Sequence, residues 1–190
     1  KLRLHVQSVY SSLPALLAHS RCYHKKTYRK IIERKGGDSP PLLYKMREDI
    51  KSFITKVQKP GRYTGGEYNS IVKERKDGDV GFAFCFPDTY EIGMSNLGMR
   101  ILCGVLNEME NVWCERVFAP DTDMEDVMRK NNIPLFGLES HDSLKDFDAV
   151  GFTLQYELSF SNVLNMLDLA GLEMLSKDRD ESDPLICAGG

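Results

Sequence analysis

Three stretches of this chain gather residue types that hold ligands. The first contains Asp88, Tyr90, Glu91, Ser95 and Asn96, with Gly93 among them. It offers carboxylates, a phenol, a hydroxyl and an amide. It follows an apolar run and leads into a helix, so it also borders the free amide donors of a helix start. Gly93 lets the backbone take a tight path there. The second is Gln155, Tyr156 and Glu157, and the third is the pair Gly189 and Gly190. Together they suit a site that binds a cofactor or substrate. A plainer use competes with this: Asp88 and Ser95 cap and turn the chain, and residues 155–157 pack against a further domain.

The five cysteines, Cys22, Cys85, Cys103, Cys114 and Cys187, form no C-x-x-C or C-x-x-x-C cluster. An odd, scattered set argues against a disulfide framework and fits a reducing, cytoplasmic setting. Most of them read as small buried hydrophobes. No apolar run approaches the ~20 residues of a membrane span. No G-x-G-x-x-G follows the first strand, which disfavours a free-standing dinucleotide-binding protein.

The elements that must position these residues alternate. Residues 47–57 read as a helix, with Ile50, Phe53, Ile54 and Val57 at helical spacing and Pro60 ending it. A Gly/Pro-rich strap follows over 59–67, then a short strand at Ile71–Lys73. Val80–Phe86 reads as a buried strand closed by Pro87 and Asp88. Ser95 can cap a helix whose apolar face uses Leu97, Ile101, Leu102, Val105 and Leu106. Val112–Phe118 is a second strand, and Asp121 or Asp123 caps a helix through Met124 and Met128. Ile133–Leu138 reads as a third strand and Phe147–Leu154 as a fourth. A helix from Phe160 to Leu169 stops at Gly171, and Leu185–Ala188 starts a fifth strand. Strands alternating with helices predict an α/β, Rossmann-like parallel sheet with helices on both faces. In such sheets the ligand crevice lies beyond the carboxyl ends of the strands, where all three stretches project. A sheet stopping on Gly189–Gly190 reads as truncated at its C-terminal end.

The charge is uneven. Residues 1–51 hold 12 Lys and Arg against 4 acids, whereas the whole chain holds 25 against 28. A basic head on an acidic body implies a tail with separate duties. Residues 1–32 lack acids, as a transit peptide does. Met46 is nevertheless expected to be the native start, running into the first helix, with residues 1–45 non-native, from upstream sequence or a misplaced gene start. The basic head also admits a weak nucleic-acid reading. The chain thus divides into a basic extension, 1–45, expected to be poorly structured or helical; a helix and strap, 46–78; and the α/β domain, 79–190.

Five blocks in order carry a family resemblance. They are Lys59–Glu67 (KPGRYTGGE), Phe86–Gly98 (FPDTYEIGMSNLG), Glu115–Glu125 (ERVFAPDTDME), Phe152–Ser159 (FTLQYELS) and Asn162–Gly171 (NVLNMLDLAG). Over about residues 46–190 the chain closely resembles the N-terminal, cobalamin-binding-like region of an uncharacterised family of radical S-adenosylmethionine proteins. The resemblance implies a radical core as partner, beyond residue 190. That core holds a [4Fe–4S] cluster on C-x-x-x-C-x-x-C and reduces S-adenosylmethionine to an adenosyl radical. No such triplet stands among these cysteines. Gly65-Gly66-Glu67 is similar to a Gly-Gly-Glu motif of radical cores, but it lies upstream of the sheet and is given no such role. In proteins that hold cobalamin through a histidine, D-x-H-x-x-G follows the first strand. Here Tyr90 stands at the histidine position. The resemblance leaves open cobalamin without a protein ligand to cobalt.

The expected function is an accessory domain that positions cofactor or substrate, RNA or a small molecule, for a radical core. The alternative is a non-catalytic scaffold. No membrane partner is expected. The candidate cofactor-binding residues are Asp88, Tyr90, Glu91, Gly93, Ser95, Asn96, Gln155, Tyr156, Glu157, Gly189 and Gly190. Other residues read as structural. Arg62 pairs with an acid in a surface strap with Tyr63 and Glu67. Glu115 and Arg116 end a strand, and Asp121, Asp123 and Glu125 suit a helix start. His141 is expected in an exposed turn, and the methionines fill the core.

Overall fold

A computed structural model describes residues 47–68, 70–73 and 75–190. The basic extension and Met46, with the readings attached to them, lie outside the described residues. Among the described residues four strands form one all-parallel sheet in the order β2-β1-β3-β4. The strands are β1 (Val80–Phe86), β2 (Val112–Phe118), β3 (Ala149–Thr153) and β4 (Leu185–Gly189). The helices are α1 (Glu48–Ile54), α2 (Tyr90–Ser95), α3 (Leu97–Glu108), α4 (Thr122–Asn131) and α5 (Ser159–Leu169). The α/β, Rossmann-like fold is as the alternation predicts.

Period-two side chains divide the core between the two faces. On one face Ala83 and Cys85 of β1, Trp113 and Val117 of β2, and Val150 and Phe152 of β3 pack with Met124, Met128, Met166 and Leu167 of α4 and α5. Ile50, Ile54, Val57 and Tyr63 join this cluster, so α1 and the strap belong to the core. On the other face Phe86, Cys114 and Phe118 meet Met99 and Cys103 of α3, with Phe82, Phe84 and Tyr90 against them. Met99, Met124, Met128 and Met166 are buried, but Met109 and Met174 are exposed, so the core-filler reading fails for those two.

Several expected elements differ. The helix expected over 47–57 is shorter, Glu48–Ile54, although Val57 stays buried in the turn that follows. Ile71–Lys73 is no strand; Ile71 and Val72 lie exposed without a pairing partner. Ile133–Leu138 is no strand either. Pro134 supplies no amide for a ladder, and the Leu135 amide donates to Leu169 O at the end of α5, at 3.1 Å, rather than to a neighbouring strand. The segment instead folds back as a loop, with Phe136 bridging Ser143 antiparallel and the Gly137 amide donating to Asp142 O at 2.9 Å. The expected fifth strand is therefore β4. Ser95 does not cap the long helix. It closes α2, its hydroxyl donating to Ile92 O at 2.6 Å, while Asn96 caps α3 by accepting from the Met99 amide at 2.9 Å. Asp121 caps α4, as expected.

The outer edge of β2 is closed by other parts of the chain. Asn107 of α3 donates to Cys114 O at 2.8 Å and accepts from Cys114 N at 2.9 Å. Leu138 N donates to Arg116 O at 2.9 Å, and Arg116 N donates to Glu139 at 3.1 Å. An edge satisfied in this way is no template for another strand.

Candidate functional site

In the order β2-β1-β3-β4 the chain leaves β1 on one side and later returns on the other. The switch between β1 and β3 is where an open sheet of this kind forms its crevice. Two predicted residues meet there. The Tyr156 hydroxyl, after β3, donates to Asp88 Oδ2, after β1, at 3.0 Å. Asp88 Oδ1 accepts from the Thr89 amide at 2.7 Å, which turns the chain into α2. Asn162 of α5 donates to Pro87 O at 2.9 Å and ties the same loop to the opposite face. The bond to Asp88 raises the Tyr156 phenol above its usual range, so it stays protonated as the donor.

The other predicted residues divide. Gln155 and Glu157 stand exposed beside Tyr156, and Gln155 donates to Thr153 Oγ1 at 2.5 Å. Gly189 does not project beyond the sheet; it is the last residue of β4, and its carbonyl accepts from Leu154 N at 2.8 Å. Gly190 lies against Leu154, with no room for a side chain. Tyr90 turns away from the crevice. Its hydroxyl donates to Glu67 at 2.9 Å and its ring meets Phe118 edge-on at 5.4 Å. Burial first, then the charge of Glu67, pushes the Tyr90 phenol up to about 12. Glu91 also faces the strap. The bond from Arg62, at 2.9 Å, holds its carboxyl down to about 2. Gly93 is buried under Phe118 and Phe86. Ser95 and Asn96 act as helix-end residues, as described above.

The strap spans the carboxyl ends of β1 and β2. Arg62 joins Glu91 to Asp121, Lys59 adds a bond to Glu91 at 3.2 Å, and the Gln58 amide donates to Asp123 at 2.7 Å. The Tyr63 hydroxyl accepts from Asp121 N at 3.0 Å. The crevice is thus covered on its β2 side and open on its β3 and β4 side.

Beneath the strap lies a buried ionic cluster that sequence reasoning assigned to a plain strand end. Arg116 donates to Glu139 at 2.7 Å through Nε and to Glu67 at 2.7 Å through Nη2. Burial works to lower the Arg116 pKa, but the two carboxylates outweigh it and hold the group charged. Burial pushes the Glu139 carboxyl up against the pull of Arg116. Glu115 points to the other face and accepts from Ser140 N and Oγ, both at 3.0 Å. Burial, then the charge of Glu139, pushes it up to about 8. The legible signal was a Glu-Arg pair inside an otherwise apolar strand, Val-Trp-Cys-Glu-Arg-Val-Phe.

His141 corrects another expectation. It is 1% exposed, not in a solvated turn, and adopts φ 65°. Its Nε2 donates to Tyr63 O at 2.9 Å, locking the strap to the loop after residue 136, while Nδ1 is buried without a partner. Burial lowers its pKa, so the ring is neutral.

The residues present do not fit an iron–sulfur cluster. Cys85 lies on one face of the sheet, and Cys103 and Cys114 touch on the other with their sulfurs 3.5 Å apart. Among the described residues no group of three His, Cys, Asp or Glu side chains converges to hold a metal ion. No described helix is long and apolar enough to cross a membrane. Nor does α2 offer cobalt a lower ligand, because Tyr90 is committed to Glu67.

No curated protein and no solved structure matches the chain significantly. A family match covers the part of the chain from the second residue of α3 to just past β4. It includes the blocks at 115–125, 152–159 and 162–171, whereas 59–67 lies outside it and 86–98 touches it only at Gly98. Residues 98–190 match the family described as radical SAM proteins, N-terminal, and this part of the chain is therefore similar to the N-terminal region of radical SAM proteins.

Proposed function

We propose that this chain is an accessory domain of a radical S-adenosylmethionine protein, and that it positions a cofactor or substrate at the β1/β3 switch. The observation that carries this reading is the Tyr156–Asp88 bond at 3.0 Å. It joins the loops after β1 and β3 at the open part of the crevice. A carboxylate with a phenol beside it recognises donor-rich ligands, because ionised Asp accepts and does not donate. Peripheral amides of a corrin have that chemistry, as do hydroxyls and amines of an RNA or small-molecule substrate. Cobalamin, if held, would rest here without a protein ligand to cobalt. The binding residues would be Asp88, Gln155, Tyr156 and Glu157. The [4Fe–4S] cluster and S-adenosylmethionine would belong to a core domain partner that acts in a reducing cytoplasm.

A scaffold role is the second reading. It is favoured by the β2 side of the crevice, where Tyr90, Phe118 and the strap leave the carboxyl ends covered by side chains. Titration of cobalamin into the purified chain, followed by visible absorption and calorimetry, separates the two. Saturable binding that weakens about tenfold in Asp88→Asn or Tyr156→Phe supports the site, a loss of one charged or polar contact being worth that much. A folded chain that takes up neither cobalamin nor donor-rich nucleosides points to the scaffold.

A further inference from the structure

Two free thiols meet at the seam between α3 and β2, and neither the crevice nor the strap uses them. Cys103 of α3 and Cys114 of β2 stand with their sulfurs 3.5 Å apart, the Cys114 thiol donating. The other described cysteines lie apart from this contact. Cys85 packs in the core of the opposite face, and the Cys187 sulfur neighbours Gly151 of β3. Phe86, Met99, Phe118 and Leu138 complete the apolar cluster around the pair. Small sulfurs in such a cluster serve as filler. Contact between two of them adds a chemistry that neither has alone.

The backbone already holds the two residues together. Asn107, one turn after Cys103 on α3, accepts from the Cys114 amide at 2.9 Å and donates to its carbonyl at 2.8 Å. The sulfurs of a disulfide are about 2.05 Å apart, so closure asks for about 1.5 Å of approach. Side-chain rotation supplies that without releasing the Asn107 anchor. Cys103 is 6% and Cys114 3% exposed, so a reagent reaches them only when the seam opens. Such opening is local, because α3 is packed on one side only and leaves Leu97, Leu102 and Val105 exposed on the other. The bond to Cys103, then burial, pushes the Cys114 thiol up and keeps it protonated. Cys103, the more exposed, is the sulfur that reacts first.

We propose that Cys103 and Cys114 form a redox-convertible pair, which a hydroperoxide oxidises to a disulfide that clamps α3 to β2. The Cys103 sulfur loses its proton and attacks one oxygen of hydrogen peroxide. The O–O bond breaks, one oxygen stays on sulfur as a sulfenic acid, and the other leaves as hydroxide and takes up that proton to become water. The Cys114 sulfur then displaces the remaining oxygen as a second water, giving up its own proton as the S–S bond forms. Two thiols and one peroxide thus become one disulfide and two waters. A thiol reductant reverses the change by exchange.

The test is treatment of the native full chain with hydrogen peroxide, followed by peptide mapping without reductant and by thermal melting. Trypsin releases residues 101–116 as one peptide that holds both cysteines and no other. The expected product carries this peptide lighter by two hydrogens and melts roughly 5–10 °C higher, a shift that dithiothreitol reverses. Cys114→Ala removes the second sulfur. Cys103 should then stay as a sulfenic acid that dimedone captures, and the melting shift should vanish. The peptide map of the unsubstituted chain decides the matter even where that variant folds poorly. A native chain whose 101–116 peptide resists peroxide until urea unfolds the protein makes the two sulfurs plain filler and overturns the proposal. So does a disulfide that joins this peptide to another cysteine, or one within it that lowers the melting temperature.

Discussion

Gly93 shows how a residue chosen for chemistry can serve packing instead. A Cβ on it would lie 2.3 Å from the Phe118 ring and 3.2 Å from Phe86. Gly93→Ala is therefore expected to overpack this corner and cost about 1–3 kcal/mol, read as a lower urea midpoint with an unchanged slope. Glu115 makes the opposite point, a functional-looking group hidden where sequence expected a strand end. Its folded pKa, about 8, exceeds that of an unfolded glutamate, so the native state holds the extra proton between those values. Stability should then fall as pH rises through that window, with a slope approaching about 1.4 kcal/mol per unit, and flatten above about 8. Glu139, raised by its burial, adds to the same trend. Glu115→Gln should flatten the decline in denaturation midpoints measured between pH 5 and 8; an unaltered slope would remove Glu115 as its source. At this scale the sequence yields residue types but not directions. Asp88 and Tyr156 were legible as strand-end groups because each follows an apolar strand. Tyr90 and Glu91 belong to the same loop, but one turn of helix rotates them towards the strap, and no local pattern records that rotation.

At the scale of elements, near-continuous apolar runs located β1, β2, β3 and β4 because strands buried on both faces need them. The same rule misread 133–138, where the apolar residues serve a loop packed under α4 and α5. Burial alone does not distinguish the two, and Pro134 was the available warning. The strap was legible as a turn-rich segment, and Arg62 was legible as an ion-pair donor. What it joins was not, since Glu91 and Asp121 come from two helices distant in sequence. Because Asp121 and Glu91 remain 41% and 48% exposed, these links are screened and add little to global stability. Their effect should be local. Arg62→Ala is expected to raise hydrogen exchange severalfold across residues 58–67 while leaving the amides of β1 and β3 protected. Equal protection in the variant would show that Tyr63, His141 and Glu67 hold the strap without Arg62.

For the whole molecule, the question is whether the strap and α1 are an appendage or part of one folding unit. Composition suggested a boundary at residue 78, because a Gly/Pro-rich strap precedes the first strand. Ile50, Ile54, Val57 and Tyr63 nevertheless reach into the main cluster with exposures of 1%, 5%, 5% and 9%. Burying each is worth about 1.5–3 kcal/mol, so removing all four costs at least about 6 kcal/mol. That is comparable with the ~5–15 kcal/mol total of an ordinary domain. Removal also takes Glu67 from Arg116 and the Tyr63 carbonyl from His141, leaving polar groups that lie in the interior short of partners. Residues 79–190 alone are therefore expected to lack a cooperative unfolding transition. Trp113 reports this well. It is the single tryptophan, is 4% exposed and stacks on Phe147 at 4.9 Å. In the shortened chain its emission should shift to the red, as for a solvated indole, whereas residues 47–190 should keep the buried spectrum. A shortened chain that melts cooperatively with a buried Trp113 would instead place the domain boundary at residue 78 and make the strap a separable cover over the carboxyl ends of β1 and β2.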